Sequence, residues 1–240
     1  MTSSILNPSP SRRAFLKAGG TTGAALVVTF ALPLGTSRVR AASADARFTP
    51  GAFLRITPDN RVTVVCGSSE MGQGVLTAIP MLVAEELDAD WKLVGVEQAP
   101  SDTAYNNPMF GMQATGGSTT IRAFYMPMRL AGAAAREMLV AAAAKQWGVK
   151  PASLKTSASH VIGPQGKKLS YGQLVEAAAK EAVPAKPTLK KNVNFRIVGK
   201  PTRRLDTPAK INGSAMFGID AQVDGMLVAV MARAPVPGAK

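Results

Sequence analysis

Glu70-Met71-Gly72-Gln73-Gly74 holds the residue types that a ligand rich in polar atoms would need. Two glycines two residues apart let a backbone press closely against a bound group. Gln73 adds an uncharged amide that both donates and accepts. Val62-Thr63-Val64-Val65 precedes the glycines, and Leu76, Ile79, Val83 and Leu87 follow with helical spacing. The glycines therefore sit where a buried strand becomes a helix, and helix-start N–H groups there can face a phosphate. A tight strand-to-helix turn without a ligand would use the same residues. A second stretch adds weight to the ligand reading. Thr115-Gly116-Gly117-Ser118-Thr119-Thr120 opens a long Ala-rich segment. Its hydroxyls and N–H groups suit an anion, and they suit ordinary N-capping as well.

The elements that must position these turns can be read in order. Residues 53–57 and 61–65 alternate as strands around the turn Pro58-Asp59-Asn60, which makes a hairpin. The first glycine turn, a helix to about Leu87 and a strand at 93–97 complete a strand–Gly turn–helix–strand unit. Pro80 falls early in that helix and either sits in its first turn or bends it. Residues 99–116 form a long loop of the kind that is often functional. The second glycine turn then starts a helix to about Trp147, which Pro127 should bend. Two short strands flank Gly163-Pro164-Gln165-Gly166, and Ser170-Tyr171-Gly172-Gln173 starts a helix ending near Glu181.

Residues 184–202 change character, with Pro184, Pro187 and Pro201 among several lysines. They read as a solvated basic linker crossing a surface. After them, residues 216–220 and 226–232 read as strands, with Asp224-Gly225 as a hairpin turn. A unit that has only begun cannot bury a core, so the chain reads as a truncated piece. His160, the lone histidine, has no acidic or thiol partner nearby in sequence and reads as a satisfied strand histidine. Met71, Met81, Met109 and Met112 either line a pocket or fill core gaps, which is the commoner use of methionine. Glu85 and Glu86 read as ordinary helix-face acids.

Composition narrows the function. The 240 residues carry a net charge of +13, but Arg12, Arg13, Lys17, Arg38 and Arg40 stand in an acid-free beginning. Aromatics make up 5%, with no basic stripe interleaved with them, which argues against nucleic-acid binding. A lone cysteine, Cys66, excludes an internal disulfide and a cysteine-held metal or iron–sulfur site. Ser11-Arg12-Arg13-Ala14-Phe15-Leu16-Lys17 is a twin-arginine signal, with a weakly apolar stretch behind it and a small-residue cleavage site at Ala42-Ser43-Ala44. Residues 1–44 are therefore read as a signal peptide for the twin-arginine translocase. The expected location is the periplasm. That route carries folded proteins and suits one loaded with a cofactor beforehand.

Four stretches occur in one order: the two glycine turns, Arg204-Leu205-Asp206-Thr207-Pro208-Ala209-Lys210-Ile211-Asn212-Gly213, and Phe217-Gly218-Ile219-Asp220. In this the chain resembles the molybdopterin-binding large subunit of the xanthine dehydrogenase/aldehyde oxidase family. It is most similar to the exported branch of isoquinoline 1-oxidoreductase beta subunits and periplasmic aldehyde dehydrogenases. The resemblance implies an α+β fold. A molybdenum-cofactor-binding segment at 45–183 is followed by the linker at 184–202 and the start of an α/β hammerhead domain at 203–240.

The resemblance also implies a molybdenum hydroxylase that oxidises a small-molecule aldehyde or N-heteroaromatic substrate with water-derived oxygen. Electrons would leave to a small [2Fe–2S] subunit, or to a cytochrome c. The cofactor is expected as molybdenum-molybdopterin in the cytosine dinucleotide form. Met71, Gly72, Gln73 and Gly74 match the family's first cofactor turn, and Gly117, Ser118, Thr119 and Thr120 its second. The family's catalytic glutamate would fall beyond Lys240, so no catalytic residue and no direct metal ligand is expected in this stretch, which should not turn over alone. A non-catalytic cofactor- or phosphate-binding remnant is the alternative. A Rossmann-type dinucleotide enzyme is disfavoured, because no Gly-x-Gly-x-x-Gly occurs.

Overall fold

The computed structural model describes residues 26–30, 39–43, 52–236 and 238. The chain divides into one unit ending at Leu205 and a second from Asp206. In the first unit a five-stranded sheet has the order β2-β1-β3-β4-β5. Its strands are β1 (Leu26–Phe30), β2 (Val39–Ser43), β3 (Ala52–Ile56), β4 (Val62–Cys66) and β5 (Val94–Gln98). β3 and β4 form the expected hairpin, with Leu54 opposite Val64 and Ile56 opposite Val62. β1 and β2 belong to the stretch read as a signal peptide. β1 pairs antiparallel with both β2 and β3, and Leu26 is fully buried.

β4 is buried at all five positions, as a strand covered on both faces must be. Helix α1 (Val75–Leu87) carries the chain from β4 to β5, which pairs parallel with β4. This crossover is the predicted strand–turn–helix–strand unit. Pro80 lies in the second turn of α1, not the first. Helix α2 (Thr119–Trp147) packs along α1. Its alanines allow a close approach: a Cβ on Gly132 would lie 2.5 Å from the Val83 carbonyl oxygen. A meander of β6 (Lys155–Ser157), β7 (His160–Ile162) and β8 (Lys168–Ser170) leads into helix α3 (Tyr171–Ala178). α3 begins with a capping box between Ser170 and Gln173. His160 lies in this meander, and its Nδ1 is 2.7 Å from the Ala158 carbonyl oxygen.

Glu85 and Glu86 are not surface acids. They are 1% and 0% exposed. Residues 184–202 do run over the surface, none of them buried, but they are tied to it: Lys190 and residues 196–198 bond to these two acids. Glu85 Oε2 accepts the N–H groups of Arg196, Ile197 and Val198 at 2.6–3.0 Å, and Oε1 accepts Lys190 Nζ at 3.2 Å. Glu86 accepts Arg129 Nε at 2.8 Å and the Lys190 N–H at 2.9 Å. Helical spacing shows which face a residue occupies but not what will cover that face. Here the covering segment is one whose composition suggested solvent.

This arrangement makes stability depend on acid. Burial pushes the Glu85 carboxyl up. The N–H groups of Ile197 and Val198 and the Lys190 ammonium outweigh it and hold the group below its ordinary value of 4.5. The stabilisation is complete above the unfolded-chain value and is lost as pH falls through the lower folded value. The thermal midpoint should therefore drop as the pH is taken from about 5 to about 3. That drop should be smaller in Glu85→Gln, which has no charge to lose. An equal drop in both proteins would rule Glu85 out as a source of acid sensitivity.

The second unit does not form the strands expected at 216–220 and 226–232. Among its described residues it holds a short helix α4 (Thr207–Ile211) and one 3₁₀ turn (Gly218–Asp220). Ile219, Leu227, Val228 and Val230 are 85–93% exposed. β-prone residues need a paired neighbour and a face to bury before they form a sheet, and none is supplied among the described residues.

Candidate functional site

Both glycine turns lie beyond the C-terminal end of β4, beside the parallel β4–β5 pair. Ligands of α/β sheets gather at such strand ends. Ser69 N–H donates to Thr115 Oγ1 at 2.9 Å, Gln113 Nε2 donates to the Gly67 carbonyl at 3.2 Å, and Thr120 Oγ1 donates to Ser68 Oγ at 3.0 Å. These bonds join two turns more than forty residues apart in sequence into one surface. Beneath them Cys66 is buried, and burial pushes its thiol up to about 11, so it stays protonated and inert at neutral pH.

The first turn has an arrangement that the spacing of glycines did not foretell. Gly72 and Gly74 have φ of +105° and +88°. Most of the donors that could face a phosphate are already used. Glu70 Oε1 accepts the N–H groups of Gly72 and Gly74, each at 2.8 Å, and Oε2 accepts that of Leu76 at 3.1 Å. Gln73 folds back on its own turn, with Oε1 taking the Met71 N–H at 2.6 Å and Nε2 giving to the Ser69 carbonyl at 2.8 Å. Met71 itself is 69% exposed, and Met109 and Met112 also face outward, so these methionines do not fill the core.

The second turn is open. Ser118 does not cap α2: its φ of +51° is left-handed and its side chain makes no cap bond. The N–H groups of Gly117, Ser118, Thr120 and Ile121 find no acceptor among the described residues. Thr119 and Thr120 are buried, and their hydroxyls are committed internally. Thr119 Oγ1 donates to the Gly116 carbonyl at 2.8 Å and accepts Asn107 Nδ2 at 2.9 Å. Of the eight candidates, Gly117 and Ser118 present donors free among the described residues, Met71, Gly72 and Gln73 are exposed but internally bonded, the Gly74 N–H is held by Glu70, Thr120 braces the junction through Ser68, and Thr119 is tied within the second turn to Gly116 and Asn107. Arg12 and Arg13 lie outside the described residues. Glu70, Asn107 and Gln113 hold the turns in place and were missed as participants. A carboxylate four residues before the glycine that starts a helix was the one signal that could have marked Glu70.

Comparison with known proteins bears on what this surface holds. A family model described as a molybdopterin cofactor-binding domain matches residues 14–228. The beta chain of isoquinoline 1-oxidoreductase from Brevundimonas diminuta is 35% identical over 95% of this chain and 34% of its own length. The membrane-bound aldehyde dehydrogenase (pyrroloquinoline-quinone) of Gluconacetobacter polyoxogenes is 35% identical over 90% of this chain and 28% of its own length. A nicotinate dehydrogenase subunit from Pseudomonas putida is 29% identical over 78% of this chain and 15% of its own length. The chain thus spans about a third or less of the length of these curated relatives.

Proposed function

The chain belongs to the molybdopterin cofactor-binding domain family of xanthine dehydrogenase type, and on that premise we propose that its paired turns hold a molybdenum-pterin cofactor for the oxidation of an aldehyde or N-heterocycle. The observation that carries the reading is the open start of α2. Four N–H groups without acceptors among the described residues, at the positive end of a 29-residue helix, suit the phosphates of a pterin dinucleotide. The residues present fit the group there. At the first turn Glu70 has taken the N–H groups of Gly72, Gly74 and Leu76, so what Gly72 and Gln73 offer is an exposed, smooth backbone and the unused valences of the Gln73 amide.

Gly117 and Ser118 would hold the anionic part of the cofactor, Gln73 would orient the pterin, Thr120 would keep the two turns in register through Ser68, and Thr119 would hold the shape of the second turn. The chemistry such a group supplies when bound is hydroxylation of an electron-poor carbon with oxygen from water. In this reading the cytosine dinucleotide form is the cofactor. A small [2Fe–2S] subunit, or a cytochrome c, takes the electrons, and twin-arginine export delivers the loaded protein to the periplasm. Cleavage at residues 42–44 would take β1 and β2 from the sheet and leave β3 as its edge.

The test is to purify the protein from the periplasm of its own host and count molybdenum per chain by elemental analysis. Close to one molybdenum per chain is the expected result. A periplasmic protein with no molybdenum and no pterin would sink the proposal.

A further inference from the structure

We propose that Glu70 and Arg204 are a positioning pair that fixes the Gly72-Gln73-Gly74 turn in the shape that receives the cofactor; the proposal rests on the reading above. Two glycines with positive φ make this turn pliant, and fixing glycines carries a large entropic cost. Something must hold it, and the geometry shows what does. Met71, Gly72 and Gln73 are exposed, yet the Glu70 side chain among them is only 7% exposed. Its two oxygens take the N–H groups of Gly72, Gly74 and Leu76, as described above. Arg204 closes the arrangement from the other side. Its Nη2 donates to Glu70 Oε1 at 3.1 Å and its Nη1 to the Gly72 carbonyl at 2.9 Å.

One guanidinium thus grips both the carboxylate and the loop that the carboxylate organises. Such a planar fork bridges two acceptors in a way that a lysine cannot. The backbone on which Arg204 rides is itself anchored, because Leu205 N–H donates to Thr77 Oγ1 at 2.9 Å in the first turn of α1. Burial pushes the Glu70 carboxyl up, but the N–H groups of Gly74, Leu76 and Gly72 and the Arg204 charge hold it below its ordinary value, so it is ionised at neutral pH.

Two consequences follow for recognition. The turn meets its ligand already ordered, so binding does not bear the cost of ordering it. An internal anion also occupies the start of α1, so a phosphate is turned away there and directed to the start of α2. Neither residue touches the cofactor in this account. Both act through the turn.

The experiment compares wild type, Glu70→Gln, Arg204→Ala and Arg204→Lys, each purified from the host. Three quantities are measured: amide hydrogen exchange at Gly72, Gly74 and Leu76, the global unfolding midpoint, and molybdenum per chain. The first N–H groups of a helix have no intrahelical acceptor, so protection at these three amides reports Glu70 directly. Glu70→Gln and Arg204→Ala should speed exchange there by about tenfold or more, with the global midpoint little changed. Their molybdenum content should fall at least about threefold, and Arg204→Lys should recover less than half of the loss. Unchanged exchange overturns the proposal, and so does wild-type molybdenum content in variants whose exchange has accelerated. If wild type itself holds no molybdenum, the cofactor reading falls and the pair's role falls with it. If wild type is loaded and the variants are equally loaded, only the pair's role falls.

Discussion

Glu86→Ala should lower the free energy of unfolding by about 3–5 kcal/mol, the range found when one partner of a buried ion pair is removed. The Glu86 carboxylate is fully buried. It pairs with Arg129, whose Nη2 is 2.7 Å away and whose side chain is 9% exposed, and more distantly with Arg136 at 3.7 Å. It also accepts the Lys190 N–H. Removing it leaves a guanidinium enclosed between Tyr125 and Phe195 with no carboxylate facing it. The whole domain is stabilised by only about 5–15 kcal/mol, so the loss is a large fraction of the total. Glu86→Gln keeps an acceptor oxygen and should cost less. Glu176→Ala is the control, because it breaks a pair with Lys180 in which both side chains are more than 70% exposed, and such pairs contribute at most about 1 kcal/mol. Urea unfolding followed by two probes measures all three. A Glu86→Ala loss no larger than that of the control would mean that the buried cluster does not hold residues 184–202 in place.

That cluster also shows where a single sequence stops being legible. The hairpin of β3 and β4, the crossover through α1 to β5, the long α2 and the entry into α3 could all be read, because local periodicity and turn chemistry decide them. The pairing of the two glycine turns rested on resemblance alone, because the bonds that join them, such as Ser69 to Thr115, link side chains and backbone across the fold. Glu85 and Glu86 have the spacing of surface acids; Arg129, Gly132 and Arg136 of α2 cover Glu86, and the return of residues 184–202 completes the burial of both. Ser118 is a natural cap by type but adopts a left-handed conformation. Glu70, outside the helix, does the capping at α1 in place of the residue next to it. The run at 226–232 has β propensity and no partner strand among the described residues, and propensity without pairing does not make a sheet.

Gly74→Val should reduce molybdenum per chain to about a tenth or less, for a reason of conformation and not of space. Gly74 has φ +88° and ψ +18° at the position preceding α1, where its carbonyl receives the N–H groups of Thr77 and Ala78. A Cβ there would meet nothing closer than Arg204 Cζ at 3.9 Å, so a side chain has room. A β-branched residue does not have that φ, and holding it there would cost on the order of 1–3 kcal/mol. The turn can relieve the strain only by rotating Gly74 out of its conformation. That rotation withdraws its N–H from Glu70 and disturbs the Gly72 carbonyl that Arg204 grips. At about 1.4 kcal/mol per tenfold, strain of this size is worth roughly five- to a hundredfold in cofactor affinity. The matched control is Gly95→Val in β5, where the same side chain enters open space on a strand that welcomes it. Gly95→Val should keep its molybdenum. Because α1 keeps its packing against α2 in both variants, both should stay folded: at about 2–4 °C for each kcal/mol lost in a domain of this size, the strain lowers the Gly74→Val midpoint by about 2–12 °C and Gly95→Val stays close to wild type. A Gly74→Val protein that folds and carries a full complement of molybdenum would show that the first turn takes no part in holding the cofactor. The cofactor would then have to be held by the start of α2 without Gly72, Gln73 or Gly74.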